Sequence, residues 1–143
     1  MDFDFRVHAR TGRVGGLTMS LVPGRDRDGP GAWIDETAFG FLERCVTTAW
    51  PRYANYGHWG CSELPIEAWR AFCGHLRELR ASLLAATEPA EVDGLGFLFA
   101  GLRAEFAERF DEMRRGIVGM IDELLAWSQR DCAQAEVVMI LGV

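Results

Sequence analysis

The chain contains no lysine, and all fifteen of its basic residues are arginine. Without a lysine amine the protein cannot form a Schiff base or use a catalytic amine. Its four cysteines are irregularly spaced, which does not fit a disulfide framework and favours buried, reduced thiols. No apolar run approaches the ~20 residues that span a bilayer, and the acidic start at Asp2 and Asp4 does not resemble a signal peptide. We therefore expect a cytoplasmic protein that does not enter membranes.

A clustered basic surface is also missing from the sequence. The net charge is −6, and residues 88–143 account for it with five arginines against eleven acidic residues. Binding to nucleic-acid phosphates needs a concentrated positive surface. We expect no nucleic-acid partner. A length of 143 residues with 49% hydrophobic residues predicts a single globular domain over residues 1–143.

The two ends of the chain predict strands. Phe3, Phe5 and Val7 alternate with polar residues, and a second apolar group follows a turn, so residues 1–22 predict a β-hairpin. Residues 23–31 combine turn formers with charges and predict a solvated loop. Residues 136–143 are β-branched and almost uncharged, which predicts a buried strand that pairs with the hairpin.

The middle of the chain predicts three helices. Asp35 can cap a helix over residues 36–50, which ends before Pro51. A second helix is predicted over residues 65–86, and a third over about 97–131. The expected fold is α+β, with a small antiparallel or mixed sheet, formed by the hairpin and the C-terminal strand, packed against three helices.

The third helix has the longest apolar pattern. From Phe106 to Trp127 its apolar residues recur at alternating steps of four and three, which is typical of a coiled-coil or bundle seam. Packing within the chain is the preferred interpretation, and a homodimer or larger homo-oligomer built on the seam is the alternative. Gly116 and Gly119 indicate either close approach of another backbone or a kink, since each costs roughly 1 kcal/mol relative to alanine.

Residues 49–75 concentrate aromatic, imidazole and thiol groups. His58, Cys61, Cys73 and His75 are potential zinc ligands. Cys73 and His75, two positions apart on a predicted helix, point about 200° apart and cannot share a metal. A site formed by His58, Cys61 and Cys73 remains an alternative. We expect no metal and no cofactor.

Cys61 also suggests a thiol enzyme. It lies just before a predicted helix, whose dipole can lower a thiol pKa, and His58 could act as its base. The sequence identifies neither a group that orients this base nor an oxyanion site. Catalysis by Cys61 is therefore the alternative to a binding function. The pairs Asp2 and Asp4, and Asp26 and Asp28, have no supporting polar shell for catalysis.

A binding surface is predicted in the turn before the second helix. Tyr53, Tyr56 and Trp59 lie near arginine, asparagine and glycine, a composition typical of protein interfaces. His58 and Glu63 belong to the same predicted site. The competing interpretation is that the aromatic rings fold back onto the core.

An acidic stripe on the third helix extends this prediction. Glu105, Glu108, Glu112 and Glu123 fall within about 40° of the side opposite Phe110. Such a stripe is either a solvated face or a docking surface for a basic partner. The sequence favours a non-enzymatic protein-binding module, with an immunity or antitoxin-like protein that neutralises a basic bacterial toxin as the specific hypothesis.

Overall fold

The computed structural model describes residues 2–53 and 60–142. These residues form an α+β fold with five strands in one antiparallel sheet and five α-helices. The strands are β1 (His8–Arg10), β2 (Thr18–Pro23), β3 (Gly31–Asp35), β4 (Cys61–Pro65) and β5 (Val137–Leu141). The helices are α1 (Glu36–Gly40), α2 (Glu43–Ala49), α3 (Ile66–Ala85), α4 (Gly101–Glu108) and α5 (Phe110–Asp131). The predicted fold class is confirmed.

The sheet has the order β1-β3-β2-β5-β4. The C-terminal strand β5 lies between β2 and β4, so it is buried on both sides, as its apolar sequence predicts. The prediction of a hairpin over residues 1–22 is wrong: β1 pairs with β3, and the hairpin is formed by β2 and β3. The loop predicted over residues 23–31 is one residue too long at each end, because Pro23 belongs to β2 and Gly31 to β3.

Alternation along the strands divides the side chains between two faces. The helix face packs into the main core through an apolar set: Met19, Leu21, Ala32, Ile34, Leu64, Val138 and Ile140. The opposite face, here called the loop face, carries the intervening residues: Arg10, Ser20, Val22, Trp33, Cys61 and Met139. Val22 and Met139 are as inaccessible on this side as the core residues are on the other. Both faces are therefore covered.

The helix predictions differ from the structure mainly in continuity. Asp35 caps α1 as predicted, its Oδ2 accepting the Ala38 amide at 3.3 Å. The predicted helix 36–50 is interrupted at Phe41 and Leu42, whose amides bond three residues back instead of four. The predicted helix 97–131 is interrupted at Arg109, where the backbone leaves the helical region. The second predicted helix is α3.

The apolar seam of the third predicted helix is used inside the chain. Met113, Ile117, Met120 and Leu124 are fully buried, and Trp127 packs edge-on against Trp69 of α3 with ring centroids 6.1 Å apart. Phe110 is the one residue of these apolar positions that stays partly exposed. The seam is therefore used mainly for packing within the chain.

The two glycines of the seam have different surroundings. A Cβ on Gly116 would overlap the Phe5 ring, whereas a Cβ on Gly119 would meet nothing within 4 Å. The close approach predicted at Gly116 is therefore made by an aromatic side chain and not by a backbone. The α5 helix runs through both positions without interruption.

Candidate functional site

The predicted aromatic surface lies mostly outside the described residues. Tyr56, His58 and Trp59 fall in the segment 54–59, about whose structure nothing is said. Tyr53 is buried, and its hydroxyl donates to Glu43 Oε2 at 2.5 Å. Burial and the Glu43 carboxylate both raise the pKa of Tyr53. The expectation that Tyr53 is an exposed contact is wrong, and this ring belongs to the core.

Glu63 is exposed, as a binding residue must be, but its position was not foreseen. It lies on β4, an edge strand that pairs only with β5 among the described strands. Only Leu64 of this strand is fully buried. Charged side chains and prolines on an edge strand, such as Glu63 and Pro65 here, commonly prevent it from pairing with other chains. Glu63 therefore fits edge protection as well as recognition.

Half of the charge of the acidic stripe is compensated within the protein. Arg109 pairs with Glu105 at 2.9 Å and with Glu112 at 2.7 Å, and its guanidinium holds the pKa of Glu112 below the usual value. Glu123 accepts from Arg6 at 3.1 Å. Glu108 is exposed. The stripe therefore fastens α4 to α5 around Arg109, and the two arginines lower its net charge from −4 to −2.

A different acidic segment has no arginine of its own. Residues 81–102 contain no basic residue, and Glu88, Glu91 and Asp93 are all exposed in the turn between α3 and α4. We call residues 87–93 the acidic turn. Among the described residues no arginine forms an ion pair with Glu88, Glu91 or Asp93, so the three carboxylates remain unpaired at the surface.

Hydrogen bonds hold the acidic turn in one conformation. Pro89–Glu91 form a single 3-10 turn, with Glu88 and Glu91 capping each other's backbone. Glu91 also accepts from the Thr87 hydroxyl at 2.6 Å, and this bond lowers the pKa of Glu91. The Asp93 amide donates to Ser82 Oγ of α3 at 2.9 Å. The turn is therefore fixed to the helix layer at both ends.

A groove adjoins the acidic turn. It has a volume of about 280 Å³, and its walls come from α2, α3 and the residues after the turn: Arg44, Cys45, Thr48, His75, Glu78, Leu79, Asp93 and Gly94. Glu78, with 79% of its side chain exposed, lies 3.6 Å from His75 Nδ1. Glu78 and Asp93 add two carboxylates to the wall of this groove.

The positions of Cys61 and Cys73 do not fit the alternative zinc site of His58, Cys61 and Cys73. Cys61 lies on the loop face, whereas Cys73 lies on α3 in a cavity that also contains Cys132. The two thiols are therefore on opposite sides of the sheet and cannot share a metal. His75 faces the groove beside the acidic turn. Within residues 2–53 and 60–142, no group of three potential ligands could hold a metal ion.

The thiol-enzyme alternative receives no support at Cys61. Burial raises the pKa of this thiol, and the opposing effect of Arg27 does not reverse the shift. A nucleophilic cysteine needs a lowered pKa. The predicted base, His58, lies outside the described residues.

Comparison with protein-family models, with curated proteins and with solved structures found no match. In the part of the chain that the structure describes, no helix is long and apolar enough to cross a membrane.

Proposed function

We propose that this chain is a non-enzymatic protein-binding module that docks a basic partner protein. The observation that carries the proposal is the acidic turn: three exposed carboxylates without an arginine among them, on a backbone that hydrogen bonds hold in place. A surface that is rigid before binding loses little conformational entropy when it binds. Its uncompensated charge would steer a basic partner and fix its orientation.

The groove beside the turn extends this surface. The groove wall contains Arg44 as well as Glu78 and Asp93, so its two carboxylates exceed its arginine by one negative charge. A partner arginine or lysine there would meet these carboxylates, while its aliphatic stem would pack on Leu79. The predicted stripe of Glu105, Glu108 and Glu112 would contribute less, since Arg109 already pairs with two of its members.

An immunity or antitoxin-like protein that neutralises a basic bacterial toxin is the specific form of this proposal. The small size and the net charge of −6 fit such an inhibitor. The proteins encoded beside its gene are the first partners to test, by co-expression and size-exclusion chromatography. If none of them forms a stable complex, this specific form is rejected.

Charge neutralisation then tests the surface itself. The triple variant Glu88→Gln, Glu91→Gln and Asp93→Asn removes three charges but keeps a side-chain carbonyl at each position for the hydrogen bonds of the turn. We expect it to weaken binding at least about tenfold at low salt. The matched control, Glu67→Gln, Asp131→Asn and Glu136→Gln, removes the same charge from exposed sites elsewhere. Equal loss in the two triple variants would reject the acidic turn as the docking surface.

A further inference from the structure

A second cavity lies on the loop face of the sheet, away from the acidic turn. It has a volume of about 280 Å³ and is lined by Arg10, Arg13, Val14, Ser20, Arg27, Gly60, Cys61, Leu141 and Gly142. Three guanidinium groups therefore line a space that holds no carboxylate in its lining. An acidic protein with this local arrangement has concentrated positive charge at one place.

Arg10 is the unusual member of this lining. Its side chain is 4% exposed, and its guanidinium donates to two backbone carbonyls, Gly29 at 2.8 Å and Arg27 at 2.6 Å. Its Nε is buried and has no hydrogen-bond partner among the described residues. A buried charge is costly unless an opposite charge is near it. The arginine has neutral acceptors for two nitrogens and none for the third.

The nearby carboxylates are already engaged. Asp28 Oδ1 accepts from Arg13 at 3.1 Å, and Asp26 Oδ1 accepts the Asp28 amide at 3.0 Å. Burial lowers the pKa of Arg10 although both carboxylates act in the opposite direction. The aspartates therefore do not compensate for the burial of this guanidinium.

The remaining lining suits a small anion. Arg27 is exposed at the mouth of the cavity, and no described residue forms an ion pair with it. The Ser20 hydroxyl lies on the same cross-strand row as Leu141 and Cys61, which places it on the floor. The three arginines less the charges of Asp26 and Asp28 leave an excess of one positive charge, and guanidinium groups pair well with the oxygens of a phosphate.

We propose that the loop-face cavity binds a phosphate group, either inorganic phosphate or the phosphate of a small ester, with the Arg27 guanidinium as its principal donor. The Ser20 hydroxyl would add a neutral hydrogen bond. The bound ion would bring a negative charge close to the Arg10 guanidinium, whose Nε is itself too buried for direct contact. This site shares no residue with the acidic turn, so phosphate binding is tested independently of binding to a partner protein.

Binding is tested on the full chain with inorganic phosphate as the probe. In phosphate-free buffer at constant ionic strength, saturating phosphate should raise Tm by at least about 2 °C, and calorimetry should show one site per chain. Acetate at the same concentration should leave Tm unchanged. No shift with phosphate would overturn the proposal, and an equal shift with acetate would overturn the assignment to phosphate. Glycerol phosphate then separates the two sources: tighter binding than inorganic phosphate indicates an ester ligand, and weaker binding indicates the free ion.

Two variants locate the site. Arg27→Gln should weaken phosphate binding at least about tenfold, since a charged hydrogen bond is lost at an exposed position that does not hold the fold. Arg25→Gln is the matched control, because Arg25 lies in the same loop but outside the cavity. It should bind phosphate as the unmodified chain does. Equal affinity in the two variants would place the ion elsewhere.

Cys61 provides an independent readout. It is the only cysteine of the four that is not fully buried, and it lines the cavity. A thiol reagent such as a disulfide dye should modify it first, and saturating phosphate should slow that reaction severalfold in the native protein. A rate that phosphate leaves unchanged would mean that the ion does not occupy this cavity.

Discussion

One face of the sheet packs against helices through a continuous apolar layer, whereas the other mixes equally buried apolar residues with a hydroxyl, a thiol and a guanidinium. Ile140 and Met139 are neighbours on β5, both fully inaccessible, and they point to opposite faces. On the loop face the cover includes a loop that Arg10 holds by its carbonyls. Full burial can thus be reached by helix packing or by a loop that a side chain holds through hydrogen bonds. We call the two hydrogen bonds from Arg10 to this loop the polar tie. Only this second kind of cover leaves polar groups available for a ligand.

The largest effect is expected from truncating these two neighbours. Ile140→Ala should destabilise the protein near the upper end of the about 2–5 kcal/mol range for such changes, because the helices beneath it cannot collapse into the space. Met139→Ala should lie near the lower end, since a loop can relax. Urea unfolding of both variants measures the difference. Equal losses would show that the loop face is packed as rigidly as the helix face.

Alkaline pH should destabilise the protein mainly through the buried cysteines on the helix side of the sheet. On the helix side, burial raises the pKa of Cys45 to about 11 and that of Cys132 to about 12, against about 8.5 for an unfolded thiol. Because both values are raised, their contribution is present below about pH 8.5 and is lost as the pH rises toward 11–12. At about 1.4 kcal/mol per pKa unit, Cys45 should account for roughly 3 kcal/mol and Cys132 for roughly 5 kcal/mol over the whole window.

The measurement is the free energy of unfolding at pH 7.5, 8.5 and 9.5, below the unfolded tyrosine pKa of about 10, above which Tyr53 also contributes. The double variant Cys45→Ala and Cys132→Ala should flatten this pH dependence. Cys61→Ala, on the loop face, should change it much less, because Cys61 is only partly buried. If the free energy of unfolding had the same pH dependence in both variants, the contrast between the faces would not extend to their thiols.

Removing the polar tie tests the loop face alone. Arg10→Gln should cost about 1–3 kcal/mol, because the Gly29 and Arg27 carbonyls lose their donors. Arg13→Gln removes only an exposed ion pair with Asp28 and should cost under about 1 kcal/mol. Thermal unfolding of the two variants gives the comparison. A neutral Arg10→Gln would mean that the loop is held by other contacts.

The smallest effect concerns the outer side of α5. Gly119→Ala should stabilise the protein by up to about 1 kcal/mol, since the added methyl meets open space and alanine favours a helix. Gly116→Ala should not stabilise the protein in this way, because the added methyl would displace the Phe5 ring. Chemical denaturation of the pair suffices. A gain in both would show that Phe5 moves aside at no cost.

The sequence predicts helices and the buried terminal strand well because those elements have a strong apolar period. The boundaries of α3 lie within one residue of the prediction, and β5 begins one residue late. The strand β4 is not predicted, because only Leu64 is fully buried in it. Its apolar alternation is too weak to be noticed beside the aromatic residues that precede it. The β2–β3 hairpin escapes because its charged connection resembles a linker between separate elements.

The candidate sites are harder to predict than the fold. The acidic stripe has the expected helical phase, but its net charge depends on Arg109 reaching both Glu105 and Glu112, which spacing alone does not decide. Arg10 is polar in sequence and buried in the structure, because a loop seventeen residues later folds over it. Charge compensation and burial of this kind are set by tertiary contacts.

The packing of the Phe5 ring against Gly116 has a consequence for the motion of the N-terminal segment. Residues 3–7 lie against the core through Phe3, Phe5 and Val7, but the Arg6 and Val7 amides bond carboxylates of Asp4 and Glu123 and not a neighbouring strand. A segment held by side chains can detach while the sheet stays intact. Its amide hydrogens should exchange with solvent far faster than those of β2 or β5, and this detachment would uncover Gly116 without unfolding the helix that carries it.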